Sequence, residues 1–229
     1  MDGYLLVDKP SEWTSFDVVN KVRNTLRQGG QKLKVGHTGT LDPLATGLVV
    51  VLVGKATKQQ QALMQHDKTY EVEATLGLSS STGDAEGEFT SGEERQPQRD
   101  EIEEVLGKFK GEIQQVPPAH SAIKINGQRA YKLARKGQEV KLPSRTVCIS
   151  RIEINSYDYP VLQFTAEVSS GTYIRSLVSD VGEQLGTKAY MSALKRTRVG
   201  EEHLDSAIDP RSLDIEIVKQ HLRPIDLPL

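Results

Sequence analysis

Apolar residues recur along this chain with two different periods, and the switches between them predict most of its elements. Residues 3–8 read as a short strand. The stretch SFDVVNKVRNTLRQ puts Val18, Val22 and Leu26 on one face at helical spacing, with Ser15 as the expected N-cap. LVVVLV at 48–53 has no polar face and predicts a strand buried on both sides. TYEVEATLGL alternates strictly, with Tyr70, Val72, Ala74, Leu76 and Leu78 opposite Glu71, Glu73 and Thr75. A second alternating run sets Leu162, Phe164, Ala166 and Val168 against Gln163, Thr165, Glu167 and Ser169, and RTVCISRIEI before it reads as a further strand. Helical spacing returns at about 100–109 through Ile102, Val105, Leu106 and Phe109. It returns again from an N-cap at Thr172 through Ile174, Leu177, Val181 and Leu185, with Gly186 as the stop signal. Strands and helices do not alternate regularly, so the expected class is α/β of the α+β kind, a mixed, mainly antiparallel sheet flanked by helices. With no internal repeat or low-complexity linker, 1–229 is expected to form a single domain.

Composition changes this picture mainly through the distribution of charge. The net charge is only -2, which by itself argues against a nucleic-acid binder. The charges are nevertheless segregated. Between Asp84 and Glu104 nine acidic residues face only Arg95 and Arg99, whereas between Pro118 and Thr146 seven basic residues face only Glu139. The basic stretch is interleaved with Tyr131, prolines and glycines, which suits a phosphate-contacting surface better than an ordinary helix face. Cys148 is the only cysteine, so no disulfide framework exists, and it is expected to be an inert core thiol in a reducing cytosol. The amino-terminal apolar run is too short for a signal peptide, and 48–53 is too short to span a bilayer. The expectation is therefore a cytoplasmic protein with no membrane contact. Five scattered histidines lack metal-ligand spacing, so no metal centre is expected. GLVVVLVGKA from Gly47 is not a P-loop, because six residues rather than four separate its glycines and Ala56 stands where a hydroxyl should hold magnesium.

VGHTGTLDPLATG at 35–47 is the densest cluster of candidate chemistry. Its TGTL matches the loop whose aspartate is phosphorylated in ion-pumping ATPases, but that nucleophile would fall on Gly36. A dehalogenase-type site would need a second aspartate where Leu44 stands, and no carboxylates lie nearby to hold magnesium. Asp42 is left either as a turn-capping residue before Pro43 or as another kind of nucleophile. A second oddity is Arg175, which falls in the first turn of the helix beginning near Thr172. A cation at that end of the helix dipole is disfavoured by roughly 0.3–1 kcal/mol when exposed. Either Arg175 swings into solvent or a carboxylate from elsewhere meets it, and Asp42 is a carboxylate in need of a role.

Six segments in order, covering nearly the whole chain, resemble the bacterial tRNA pseudouridine synthase B (TruB) family. They are LLVDKPSEWTSFDVV, GHTGTLDPLATGLVVVLVGKATK, KTYEVEATLGLSSSTGDAEG, VPPAHSAIKINGQRAYKLARKG, SSGTYIRSLVSDVGEQLG and LKRTRVG. The resemblance implies the pseudouridine synthase fold and the isomerisation of uridine 55 in the tRNA T-loop, without metal or cofactor. Asp42 matches the family's catalytic aspartate. A nucleophilic carboxylate suits the reaction, because holding the uracil C6 or the sugar C1′ divides one hard step into easier ones. Arg175, from the G-T-Y-I-R motif, would pair with Asp42, keep it ionised and orient it.

The remaining site residues also follow from the resemblance. Tyr70 would stack on the flipped base and help remove the C5 proton, with Tyr173 and Leu194 lining the same pocket. His37 would take over stacking in the T-loop, and Lys9 with Pro10 would buttress the active-site loop. The basic segment at about 117–146 matches an inserted RNA-gripping thumb loop, with Lys124 and Arg135 as the leading phosphate contacts and Arg129 and Lys132 behind them. Asp84 matches a position near the RNA, where a carboxylate would hydrogen-bond bases or order a loop. The expected partner is the T-arm of tRNA and the expected state a monomer. Family members normally continue past LRPIDLPL into a small PUA-type RNA-binding domain, and none is expected here. Two rival readings keep the fold and change the function: a non-catalytic tRNA-binding or tRNA-folding protein, and a pseudouridine synthase acting on another RNA.

Overall fold

A computed structural model describes residues 1–229 apart from Glu94, Ala122, Asn126, Arg135, Glu139 and residues 226–229. The first half of the chain forms β1 (Gly3–Lys9), α1 (Ser15–Gln28), β2 (Val35–His37), β3 (Thr46–Val53), α2 (Gln60–Leu63), β4 (Lys68–Leu76), β5 (Leu78–Ser80), β6 (Phe89–Ser91) and α3 (Arg99–Lys108). The second half forms β7 (Gly111–Gln115), β8 (Lys124–Ile125), β9 (Gln128–Arg129), α4 (Ala130–Ala134), β10 (Arg145–Asp158), β11 (Val161–Val168), α5 (Ile174–Gln184), β12 (Ala189–Val199), β13 (Glu202–His203) and α6 (Ile215–His221). The chain divides into two compact units, Met1–Tyr70 with Leu194–Leu229, and Glu71–Ala193. Both boundaries fall inside strands, β4 and β12. Among the described residues no helix is long and apolar enough to cross a membrane.

In the first unit β3 is central. It pairs antiparallel with β1, from Gly3↔Val53 to Lys9↔Gly47, and parallel with β12 through Lys195↔Thr46 and Arg196↔Gly47. One rung of this mixed sheet therefore reads Lys9, Gly47, Arg196. Gly47 has φ +99, and a Cβ there would lie 2.3 Å from the carbonyl oxygen of Arg196, so only glycine fits between these two neighbours. The unbroken apolar run of β3 is buried throughout, as its lack of a polar face requires. Val18, Val22 and Leu26 of α1 are buried as well.

The start of α1 differs from the sequence expectation. Its N-cap is Thr14, whose hydroxyl accepts from Asp17 N at 3.0 Å while Asp17 Oδ2 accepts from Thr14 N at 2.8 Å. Such a capping box is worth about 1 kcal/mol. It frees Ser15 for the role described below.

The second unit is built on the order β4-β11-β10-β7, with β10 antiparallel to both of its neighbours. The alternating sets of β4 and β11 point inward as the pattern predicts, Val72, Ala74 and Leu76 from one and Leu162, Phe164, Ala166 and Val168 from the other. Helices α3 and α5 bury Ile102, Val105, Leu106, Ile174, Leu177 and Val181. Gly186, at φ +69, follows the end of α5 where the stop was expected. Two expectations are corrected here. The N-cap of α5 is Tyr173 rather than Thr172, and it makes no side-chain cap bond; Thr172 instead donates its hydroxyl to Ser169 O at 2.9 Å. Cys148 is half-buried rather than a core thiol, because it lies on the outward parity of β10 between buried Val147 and Ile149.

Candidate active site

In the first unit the loop from Thr38 to Ala45 carries Asp42, and buried side chains grip its backbone on both sides of that residue. Ser15 Oγ accepts from Leu41 N at 2.8 Å and donates to Leu41 O at 3.2 Å. Lys9 is fully buried, and its ammonium donates to Pro43 O at 3.0 Å, Trp13 O at 2.6 Å and Pro10 O at 2.9 Å. Glu12 N also donates to Pro43 O, at 2.9 Å, and Ala45 N closes a turn onto Asp42 O at 3.1 Å. Arg196, 2% exposed, donates from Nε to Leu48 O at 2.7 Å and from NH2 to Gly39 O at 3.1 Å. Both cations of the Lys9–Gly47–Arg196 rung thus reach into the same loop. Residues 41 and 43 are both anchored, which fixes the backbone at Asp42. A loop held this way is preorganised for chemistry rather than for adaptation.

The electrostatics of this unit are set by buried cations. Burial lowers the pKa of Lys9 to about 8, with Asp42 opposing and Arg196 adding to the fall. Lys68 is buried too and donates to Met64 O at 2.7 Å and to His66 O; burial and then Arg196 bring it down to about 8. Near pH 7 both remain protonated, which places positive charge around the Asp42 loop and favours an ionised carboxylate. His37, at the end of β2, is half-buried. Its Nδ1 accepts from Gly39 N at 3.2 Å, and burial followed by Arg196 pushes its pKa below the ordinary histidine value. Tyr70 is buried on the inward parity of β4, and Leu194 is half-buried on β12.

In the second unit Arg175 is buried at 6% exposure, not swung into solvent. Its NH1 lies 3.4 Å from Asp84 Oδ2 and donates to Thr82 O at 2.9 Å, while NH2 donates to His120 O at 2.9 Å. One carboxylate against Arg175 is Asp84, 5% exposed, which also accepts from Thr82 Oγ1 at 2.5 Å and Glu86 N at 3.1 Å. Asp84 orders the STGDAEG loop and neutralises a cation at the helix start, resolving the dipole anomaly. Tyr173, half-buried, immediately precedes α5. Lys124 is exposed on β8, directly across from Arg129 on β9, and Lys132 is exposed on α4. Arg135 lies outside the described residues.

Sequence reasoning missed Ser15 as an anchor of Leu41, Arg196 and Lys68 as buried cations, and Thr82 as an acceptor for Arg175. The signal for Arg196 was its strand parity with Leu194, hidden by the lysines and arginines around it. For Thr82 no side-chain signal existed, because the atom that accepts from Arg175 is its backbone carbonyl.

Comparison with known proteins bears on these two halves. Residues 23–174 match the TruB family pseudouridylate synthase N-terminal domain, and residues 175–228 match the tRNA pseudouridylate synthase B C-terminal domain. The chain is 43% identical over 225 residues to the tRNA pseudouridine synthase B of Parabacteroides distasonis, covering 97% of this chain and 95% of that one. It is 41% identical over 224 residues to the protein of that name from Phocaeicola vulgatus, covering 96% and 95%. A relative from Rhodopirellula baltica is 44% identical over 210 residues, covering 90% of this chain and 60% of its own. Among solved structures, a chain of a Cbf5-Nop10-Gar1 complex superposes with a TM-score of 0.70 at 32% identity, over 92% of this chain and 53% of that one. A chain of an H/ACA RNP bound to a substrate RNA containing 2′-deoxyuridine gives 0.66 at 30% identity, over 92% and 52%. This chain thus spans about half the length of those two solved chains.

Proposed function

This chain belongs to the TruB family of pseudouridylate synthases, and on that premise we propose that it isomerises uridine to pseudouridine in tRNA, at uridine 55 of the T-loop. The observation that carries the mechanism is the anchoring of the Asp42 loop by Ser15, protonated Lys9 and Arg196, with protonated Lys68 a further buried cation of the same unit. An isomerisation consumes no co-substrate, so everything required is a nucleophile, a place for the base to turn and a route for one proton. Asp42 is the nucleophile, adding to the uracil C6 or to the sugar C1′. The N1–C1′ bond breaks, the uracil turns, a C5–C1′ bond forms and the bond to Asp42 is released. The proton lost from C5 is matched by one taken up at N1, with Tyr70 stacking on the base and assisting the C5 transfer.

Arg175, held by Asp84, Thr82 and His120, is the cation that orients Asp42 and keeps it ionised. Tyr173 and Leu194 line the pocket that receives the flipped base, and His37 stacks in the loop the base has left. Lys9 buttresses the nucleophile loop. Lys124 and Arg135 contact T-arm phosphates from the thumb segment, while Asp84 acts on the RNA only through the loop it orders. The protein acts as a cytoplasmic monomer.

The test is a tRNA transcript carrying tritium at uracil C5. The reaction releases the label at position 55 to water, to about one equivalent per tRNA. A transcript with cytidine at position 55 must release none. Tight binding with no release from either transcript would overturn the catalytic reading and leave a tRNA-binding protein.

A further inference from the structure

Gln115 and Arg145 are cross-strand partners at one end of the β7–β10 pairing, and both turn toward Tyr173. Gln115 is fully buried. Its Oε1 accepts from Tyr173 N at 2.8 Å and its Nε2 donates to Tyr173 O at 3.0 Å. One side-chain amide thereby satisfies both backbone polar atoms of a residue that stands in extended conformation, φ -101 and ψ 113, just before α5. Tyr173 is the N-cap and makes no side-chain cap bond; its carbonyl also accepts from Leu177 N at 3.1 Å, and the amide adds to it what a neighbouring strand would.

Arg145 holds the ring. Its Cζ lies 4.7 Å from the centroid of Tyr173, within cation–π range. Gly171, whose φ of +85 favours glycine, packs beside the guanidinium: a Cβ there would sit 3.4 Å from Arg145 Cζ and 3.5 Å from both terminal nitrogens, at ordinary contact distance. Arg145 Nε is buried without a hydrogen-bond partner among the described residues. The guanidinium is therefore held there by its flat faces, and an apolar side chain of similar length would leave no donor unmade. The SSGT turn is tied to β10, where Cys148 N donates to Ser169 Oγ and Ser169 N to Cys148 O, both at 2.8 Å. The first turn of α5 is tied to the residue after β7, Ser176 Oγ donating to Val116 O at 2.8 Å.

We propose that Gln115 and Arg145 are positioning residues for pseudouridine formation: Gln115 fixes the backbone of Tyr173, Arg145 fixes its ring, and the pair sets the first turn of α5 that carries Arg175. This rests on the reading above that Tyr173 lines the base pocket. Neither residue touches the reacting atoms. Their effect passes through Tyr173, and that makes the inference testable by coupling.

Single-turnover rate at saturating tRNA, tRNA affinity and thermal midpoint are measured for Gln115→Met, Arg145→Lys and Arg145→Met, alone and combined with Tyr173→Ala. Arg145→Lys keeps the charge and loses the flat face. Each single substitution lowers the rate about tenfold or more while affinity changes by less than about threefold, the mark of misplacement rather than lost binding. In the Tyr173→Ala background Arg145→Lys, which acts on the ring, lowers the rate by less than about twofold, whereas Gln115→Met, which acts on a backbone that Tyr173→Ala leaves in place, keeps its loss. An Arg145→Lys loss that multiplies with that of Tyr173→Ala would overturn the proposal, as would a Gln115→Met loss that disappears with the ring. So would an Arg145→Met defect confined to the dissociation constant and restored by Arg145→Lys, which would mark a phosphate contact. If Gln115→Met does not fold, Gln115→Glu keeps the acceptor for Tyr173 N, loses the donor, and must show an intermediate loss. Fluorine NMR of meta-fluorotyrosine at position 173 separates this inference from the functional reading. The signal shifts in Arg145→Lys whether or not the wild type turns over, and an unmoved signal sinks the positioning role.

Discussion

Two sets of cations in this protein carry the same charge and do different work. Lys9, Lys68 and Arg196 are buried, and the hydrogen bonds described for their charged groups run to backbone carbonyls. Lys124, Arg129 and Lys132 lie on a short hairpin and the helix after it, with their side chains exposed. A buried cation loses its hydration, so it persists only where carbonyls or carboxylates replace water, and it then dictates where those groups sit. An exposed cation keeps its hydration and its freedom, so it dictates nothing locally and remains available to a phosphate. Of the first set Lys9 and Arg196 hold the Asp42 loop, and under the proposed function the second set is the one available to an RNA backbone.

Breaking the first set at its centre gives the largest effect. Asp42→Asn keeps the anchored loop and removes only the nucleophile, so pseudouridine formation should fall by at least about a thousandfold with tRNA affinity little changed. Turnover surviving in a folded variant would detach the anchored loop from the chemistry. Arg175→Met should lower the single-turnover rate by about a hundredfold. It should also destabilise the fold by roughly 3–5 kcal/mol, because Asp84 is left buried without its cation. A variant with only a weaker dissociation constant would move Arg175 into the RNA-binding set.

Arg196→Lys retains the charge but cannot span Leu48 O and Gly39 O together. A loss of about tenfold in rate, with affinity preserved, is expected if geometry rather than charge is what Arg196 supplies. Full activity would show that charge alone suffices.

Lys9 supplies a pH test of the same set. Its pKa is about 8 in the folded protein against 10.5 as the ordinary value. Below 8 both states hold the proton and the burial cost is fully felt; between the two values only the unfolded state holds it, so stability rises with pH there. Measured by denaturant unfolding, wild type should gain on Lys9→Met by at most about 1.4 kcal/mol per pH unit above 8. A flat difference would mean that the burial of Lys9 is not felt.

The exposed set should give the smallest effect. Lys124→Gln is expected to weaken tRNA binding only severalfold, to reduce the salt slope by about 0.7–0.9, and to leave the rate at saturating RNA unchanged. A rate defect at saturation would place Lys124 with the residues that shape the site.

The sequence alone determined the elements and singled out the Asp42 loop. Helix α1, strands β3, β4 and β11 and the end of α5 follow from apolar spacing, because burial of one face or both is a local constraint on every turn or pleat. Asp42, Tyr70 and Arg175 were named from motifs that are contiguous in the chain. The tertiary structure decided what these residues touch. Ser15 reads as a cap and instead anchors Leu41, 26 residues away. Arg196 reads as one cation in a basic run, yet it fastens Gly39 across 157 residues, and Gln115 reaches Tyr173 across 58. A side chain's preference for helix or strand is written in its neighbours, whereas its hydrogen-bond partner depends on which distant backbone the fold brings within 3 Å, and no periodicity records that.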